Sequence, residues 1–342
     1  MTSLVINDQG VELRYTDSGA PPNTSSTPYM TLFMVHGMGF TGPIFKKIQA
    51  LAHSSNLRVV AINRRGYAGS TPFTPEEAAA PLTGSDEDKA AYIANRGIEI
   101  ASFIDIFIQK HNIPPIAAGR KGGGVGLLGW SAGNVSTVSA VAHVGALPPE
   151  VQKRLALYMR ALVMQEPPSG SLGIPLPAGT WSPGLSPSIP KKWHKSFFTQ
   201  WITSYFDHGD LSTRDTDVLS YVVPSILRRP SIYSMSDDDR REFVEEVAES
   251  AIMLSTMPQA LAMYRRACFD RAARAQLSEL NVWFLTGDVT CSFSIAAFWA
   301  IQDDDNERGG GFVHYKMIPG VNHFMHWDDP EKAVQAYLEA LA

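Results

Sequence analysis

Cysteine is nearly missing from this chain, which has two, Cys268 and Cys291, among 342 residues. So low a count excludes a disulfide-stapled scaffold. The two are not spaced as metal ligands either, so free thiols in a reducing compartment are expected. Charge is sparse at 18% and slightly acidic, −5 overall. The arginine pairs at 64–65, 228–229 and 265–266 are short and scattered, read as solvated or carboxylate-paired, and leave no footprint for nucleic acid. No apolar run reaches the eighteen or so residues of a membrane helix. The opening MTSLVINDQGVELRY has no basic stretch leading into an apolar one, so no secretory leader is expected and a cytoplasmic protein is. No internal repeat is visible.

What is present is an order of elements. Residues 2–16 alternate as an edge hairpin turning near Asn7–Gly10. Buried strands follow in YMTLFMVHG, LRVVAIN (57–63), VGLLGW and ALVMQEP, and later in NVWFLTGD (281–288) and GFVHYKMIPG (311–320). Helical spacing marks a stretch with Phe45, Ile48 and Leu51, a helix from about Asp88 to His111, and a closing helix from about Pro330 to Leu341. Thr74–Lys89 reads as an acidic, alanine-rich linker. Strands alternating with helices argue for an α/β fold with a mostly parallel sheet and helices on both faces. Pro167 to about Ala275 holds no good strand but many aromatics, among them Trp181, Trp193, Phe197, Phe198 and Trp201. It reads as a helical insertion over one end of the sheet. The expected division is a core of 1–167 and 276–342, with a cap of 168–275.

Ligands of such sheets gather at the carboxyl ends of the strands. There, GWSAG (129–133) joins a buried strand to a helix of small residues. A serine between glycines at that junction is the pattern of a nucleophile elbow. The turn strains the serine backbone, neighbours two residues away must lack a Cβ, and the next N–H, that of Ala132, faces a developing oxyanion. The overlapping GVGLLG matches G-x-G-x-x-G only formally, since its glycines begin the strand instead of following it, so no dinucleotide cofactor is expected. GRKGGG (119–124) lacks the lysine–serine ending of a phosphate loop.

VHGMG (35–39), NRRGYAGS (63–70), GWSAG (129–133) and GVNHFMHWDDPE (320–331), in this order, make the chain resemble an α/β-hydrolase of the superfamily that includes esterases, epoxide hydrolases and haloalkane dehalogenases. The resemblance implies His323 as general base for Ser131, and a second oxyanion donor in the N–H of Met38. His36, Gly37 and Trp130 are expected to border the substrate, His36 also fixing the loop. The family's usual acid follows the penultimate strand as G-x-x-D. Here that stretch is Gly287-Asp288-Val289-Thr290, with threonine in the acid's place. Glu166, at the end of the strand after the nucleophile helix, and Asp288 are the two candidates, with Glu166 preferred by likeness to dehalogenases that carry the acid on that strand. His326 reads as a packing residue.

An aspartate at the elbow would attack an alkyl carbon; Ser131 suits an acyl carbon. The expected activity is hydrolysis of a carboxylic ester with an apolar or aromatic group, without cofactor or metal. A lyase, acyltransferase or C–C hydrolase using the same three residues is the alternative, and a ligand-binding protein without turnover is another. Monomer and homodimer stay open.

Overall fold

The apolar runs become the parallel strands of an eight-stranded sheet in the order β1-β2-β4-β3-β5-β6-β7-β8. The strands are β1 (Thr2–Val5), β2 (Glu12–Asp17), β3 (Met30–Val35), β4 (Leu57–Ile62), β5 (Val125–Trp130), β6 (Met159–Gln165), β7 (Asn281–Gly287) and β8 (His314–Ile318). This computed structural model describes residues 2–22, 27–184, 186–245 and 249–342. β1 and β2 form the antiparallel edge hairpin, β2 runs antiparallel to β4, and β3 through β8 are parallel.

The central strands are buried along nearly their whole length and mostly apolar because both faces are covered, and the pleat divides their side chains between two layers. Leu32 and Met34 of β3 enter one cluster with Ile48, Ala333 and Tyr337 from the helices Lys46–Leu51 and Pro330–Leu341. Phe33 and Val35 enter the other, with Phe103 and Phe107 of the long helix Asp86–His111 and Val138 of the helix Asn134–Ala142.

Two local differences from the sequence expectation have plain causes. The stretch expected as a linker contains a helix, Pro75–Thr83. Thr74 caps it reciprocally with Glu77, and Pro75 occupies the first turn, where its missing N–H costs nothing. The long helix starts at Asp86 because the Ser85 side chain accepts the Asp88 N–H, and it stops at Asn112, whose φ is 50°.

Between β6 and β7 no described residue joins the sheet. Short helices and turns occupy the interval, His194–Ile202 among them, and Trp201 packs on Trp181, Phe206 and Phe293. The helix Met257–Phe269 behaves differently. Its Met263, Tyr264 and Ala267 are buried in the cluster that holds Val138 and Phe103, and it lies against the helices Asn134–Ala142 and Asp86–His111. By its packing this helix is part of the core layer, although the boundary expected at 275 puts it in the cap. No described helix is long and apolar enough to cross a membrane. Cys268 and Cys291 are buried free thiols, and burial pushes Cys268 up to about 12.

Candidate active site

β5 ends at Trp130, and the turn Ser131–Gly133 leads straight into the helix Asn134–Ala142. Ser131 takes φ 55°, a left-handed conformation that a non-glycine residue adopts only where its surroundings enforce it. The flanking glycines do not share that twist; close approach demands them. A Cβ on Gly129 would lie 2.3 Å from Thr137 Oγ1, and one on Gly133 would lie 2.4 Å from the Val35 carbonyl oxygen. Asn134 braces the turn, its Nδ2 donating to the Ser131 carbonyl at 2.9 Å and to the Gln165 carbonyl at 3.0 Å.

His323 follows β8 and is fully buried. Its Nδ1 lies 3.2 Å from Glu166 Oε2. Glu166, one residue past β6, also has a positive φ, 53°. Its carboxylate accepts three further hydrogen bonds: from the Gly287 N–H at 2.6 Å, from Thr290 Oγ1 at 2.5 Å and from Thr286 Oγ1 at 3.2 Å. These donors fix where the carboxylate points. The other nitrogen of His323, Nε2, is buried and has no hydrogen-bond partner among the described residues, Ser131 Oγ included. The ring is walled by Trp130 and Phe293, each 5.3 Å away centre to centre.

Asp288 is elsewhere. Its Oδ1 accepts the Gly320 N–H at 2.6 Å, closing the turn after β8. His326 lies in the core against Trp130 and Phe45, with Nδ1 3.2 Å from Gln165 Nε2. Burial, then the neighbouring His323, pushes its pKa well below the usual histidine value, so it is neutral.

The loop after β3 meets the elbow so closely that a Cβ on Gly37 would fall 2.8 Å from Ser131 Cβ. His36 Nε2 accepts the Arg64 N–H at 2.9 Å, which leaves the proton on Nδ1, donating to the Gly37 carbonyl at 2.8 Å. Burial and the adjacent Arg64 keep this ring neutral. The N–H groups of Met38 and Ala132 carry no intramolecular hydrogen bond among the described residues.

A cavity, partly open to solvent, lies over Ser131, Ala132 and Met38. Trp181, Phe198, Trp201 and Phe293 wall one part of it, and Arg64, Arg65, Arg96, Glu99 and Glu249 another. His36, Gly37 and Trp130, expected against the substrate, are not on that wall; they pack behind it, and Trp130 Nε1 donates to the His323 carbonyl at 2.9 Å.

Several contributors escape a sequence reading. Thr290 had a signal, since it occupies the place of the usual acid and turns out to donate to the carboxylate that stands on β6. Asn134 had none beyond opening the helix, and the ion pair of Arg64 with Glu249, 185 residues away, had none. Among the described residues no group of three or more His, Cys, Asp or Glu side chains is arranged to hold a metal ion.

Comparison with known proteins agrees with this arrangement of the sheet. No curated protein matches the chain. Among solved structures, a bromoperoxidase from Bacillus anthracis is similar at 13% identity with a TM-score of 0.50, and 99% of each chain is covered. The thioesterase domain from the curacin biosynthetic pathway is similar at 15% identity with a TM-score of 0.50, again over 99% of each chain. At such identities these two likenesses speak for the fold alone. The sequence pattern of one family, described as the Alpha/beta hydrolase family, spans residues 32–336, from β3 to the closing helix, and the chain belongs to that family.

Proposed function

We propose that the protein is a serine hydrolase of carboxylic esters, acting through an acyl-enzyme on Ser131. Ser131 Oγ attacks the acyl carbon as its proton passes to His323 Nε2. The resulting oxyanion is held by the N–H groups of Met38 and Ala132, each worth on the order of 3 kcal/mol of transition-state stabilisation. Collapse returns the proton to the leaving alkoxide. Water then attacks the acyl carbon, again losing a proton to His323; the adduct expels Ser131 Oγ, which takes that proton back, and the acid departs. Glu166 keeps the His323 proton on Nδ1 throughout and stabilises the imidazolium.

The observation that carries this reading is the buried His323, pinned at Nδ1 by Glu166 with Nε2 left free. Buried polar atoms are seldom left unsatisfied without a task. Ser131 in its strained turn and the two unengaged N–H groups supply the other parts. The aromatic wall favours an apolar or aromatic acyl or alcohol group. The buried free thiols suit the cytoplasm.

The test is covalent labelling with a fluorophosphonate together with p-nitrophenyl ester turnover. Labelling at Ser131, and loss of both signals in Ser131→Ala, are the expected results. A folded protein that neither labels nor turns over any ester of a graded panel refutes the proposal. Labelling without ester turnover redirects it to acyl transfer, lyase or C–C bond chemistry on the same residues.

A further inference from the structure

Arg64 sits on the loop after β4 with its guanidinium largely buried and every arm used. Nε donates to the His36 carbonyl at 3.0 Å, and Nη2 shares its hydrogens between the Gly37 carbonyl and Tyr67 Oη, each 3.0 Å away, and Glu249. Nη1 and Nη2 also form a two-pronged pair with the Glu249 carboxylate, both contacts 2.9 Å. Burial works against the Arg64 charge, and Glu249 together with Tyr67 and Tyr92 more than offsets it, so the group stays cationic.

The geometry matters because of what the Gly37 carbonyl is attached to. A trans peptide is planar, with C=O and N–H pointing opposite ways. An oxygen held by both Arg64 and His36 Nδ1 therefore dictates where the Met38 N–H points. Glu249 belongs to the insertion, opening the helix Glu249–Ser255, and it lines the cavity beside Ser250 and Met253. The insertion grips the same loop through its backbone too: the Glu245 N–H donates to the Gly39 carbonyl at 3.0 Å, and the Thr41 N–H to the Phe243 carbonyl at 2.9 Å.

We propose that Glu249 and Arg64 form a latch that orients the Gly37–Met38 peptide, so that the oxyanion site is complete only when the insertion is seated on the core. Arg64 is a positioning residue, since it acts through that peptide. The occupant of the cavity touches the latch directly, which couples binding to alignment. This inference rests on the ester hydrolase reading above.

The test compares an ester with its thionoester, in which sulfur replaces the oxygen that becomes the oxyanion and gains less from the N–H donors. Arg64→Met is expected to lower kcat on the ester about 100-fold, the penalty of a donor misplaced by about an ångström. KM is expected to stay within threefold, and the ester-to-thionoester ratio to fall at least tenfold. Arg64→Lys keeps a charge for Glu249 but cannot span two carbonyls, so it is expected to remain about tenfold below wild type. Glu249→Gln is expected to lose about tenfold, with the same fall in ratio.

Folded variants, checked by thermal melting, that keep wild-type kcat overturn the latch. So does a kcat loss with the ratio unchanged, which marks a merely structural contact. If Arg64→Met does not fold, Arg64→Lys and Glu249→Gln decide by the same readouts. A wild-type protein that neither turns over the ester nor labels at Ser131 fails on the functional reading instead, and the catalytic role of the latch falls with it.

Discussion

Replacing Glu166 by glutamine changes one atom and tests the whole hydrogen-bond logic of the site. Both carboxylate oxygens face donors: Oε1 takes the Gly287 N–H at 2.6 Å, and Oε2 takes Thr290 Oγ1 at 2.5 Å and faces His323 Nδ1 at 3.2 Å. An amide must turn its NH2 toward one side. The Gly287 side is closed to it, because a backbone N–H cannot become an acceptor. Its NH2 therefore meets Thr290, whose hydroxyl can rotate, and His323, whose Nδ1 must then give up its proton. That moves the imidazole proton to Nε2, where it blocks uptake of the Ser131 proton. An acid-to-amide change of this kind in a serine–histidine–acid site costs about 10⁴ in kcat, or about 5.4 kcal/mol of transition-state stabilisation. The assay is steady-state hydrolysis of a p-nitrophenyl ester, with KM and thermal melting as controls for binding and folding. Asp288→Asn is the paired comparison: an amide oxygen still accepts the Gly320 N–H, so activity is expected within threefold of wild type. A Glu166→Gln enzyme within threefold of wild-type kcat, or an inactive but folded Asp288→Asn, refutes the reasoning.

Other expectations follow from single contacts. Gly37→Ala places a Cβ 2.8 Å from Ser131 Cβ, so kcat is expected to fall at least about 100-fold in a protein that still melts cooperatively; unchanged kcat means the two segments are not pressed together. Thr290→Val removes one donor from the Glu166 carboxylate, a loss of about 1.4 kcal/mol and so about tenfold in kcat, read with the same ester; equal rates sink it. His36 and His326 are neutral in the fold with pKa values pushed well below 6.5, so the unfolded chain binds more protons than the folded one in acid. Stability is therefore full above about pH 6.5 and declines below it, and His326→Leu is expected to flatten that decline by up to about 1.36 kcal/mol per pH unit in urea titrations. Parallel slopes for His326→Leu and wild type between pH 5 and 6.5 contradict it.

The parts of this molecule that repeat with a local period could be read from the chain. Buried strands such as LRVVAI and VGLLGW announce themselves as short apolar runs, and GWSAG announces a sharp turn because close approach leaves no room for a Cβ at Gly129 or Gly133. Contacts between distant residues could not be read in the same way. Glu166 and Asp288 are both carboxylates just beyond strand ends, and the likeness that favours Glu166 is not a contact; the folded chain puts Glu166 Oε2 3.2 Å from His323 Nδ1 and turns Asp288 to the Gly320 N–H. The arginine pair at 64–65 reads as solvated or carboxylate-paired, and it is paired, but nothing local marks Glu249, Glu77 and Glu99 as its partners. The helix Met257–Phe269 reads as part of the insertion because it lies before β7 in sequence, while its burial follows its apolar face onto the helix Asn134–Ala142.

That helix has a practical consequence for anyone who wishes to change what the protein accepts. A segment transplanted from a relative between residues 168 and 275 would carry away the support behind the helix that follows Ser131 and leave Val138 and Phe103 facing water. A graft that stops before Met257 preserves the scaffold and exchanges only the walls.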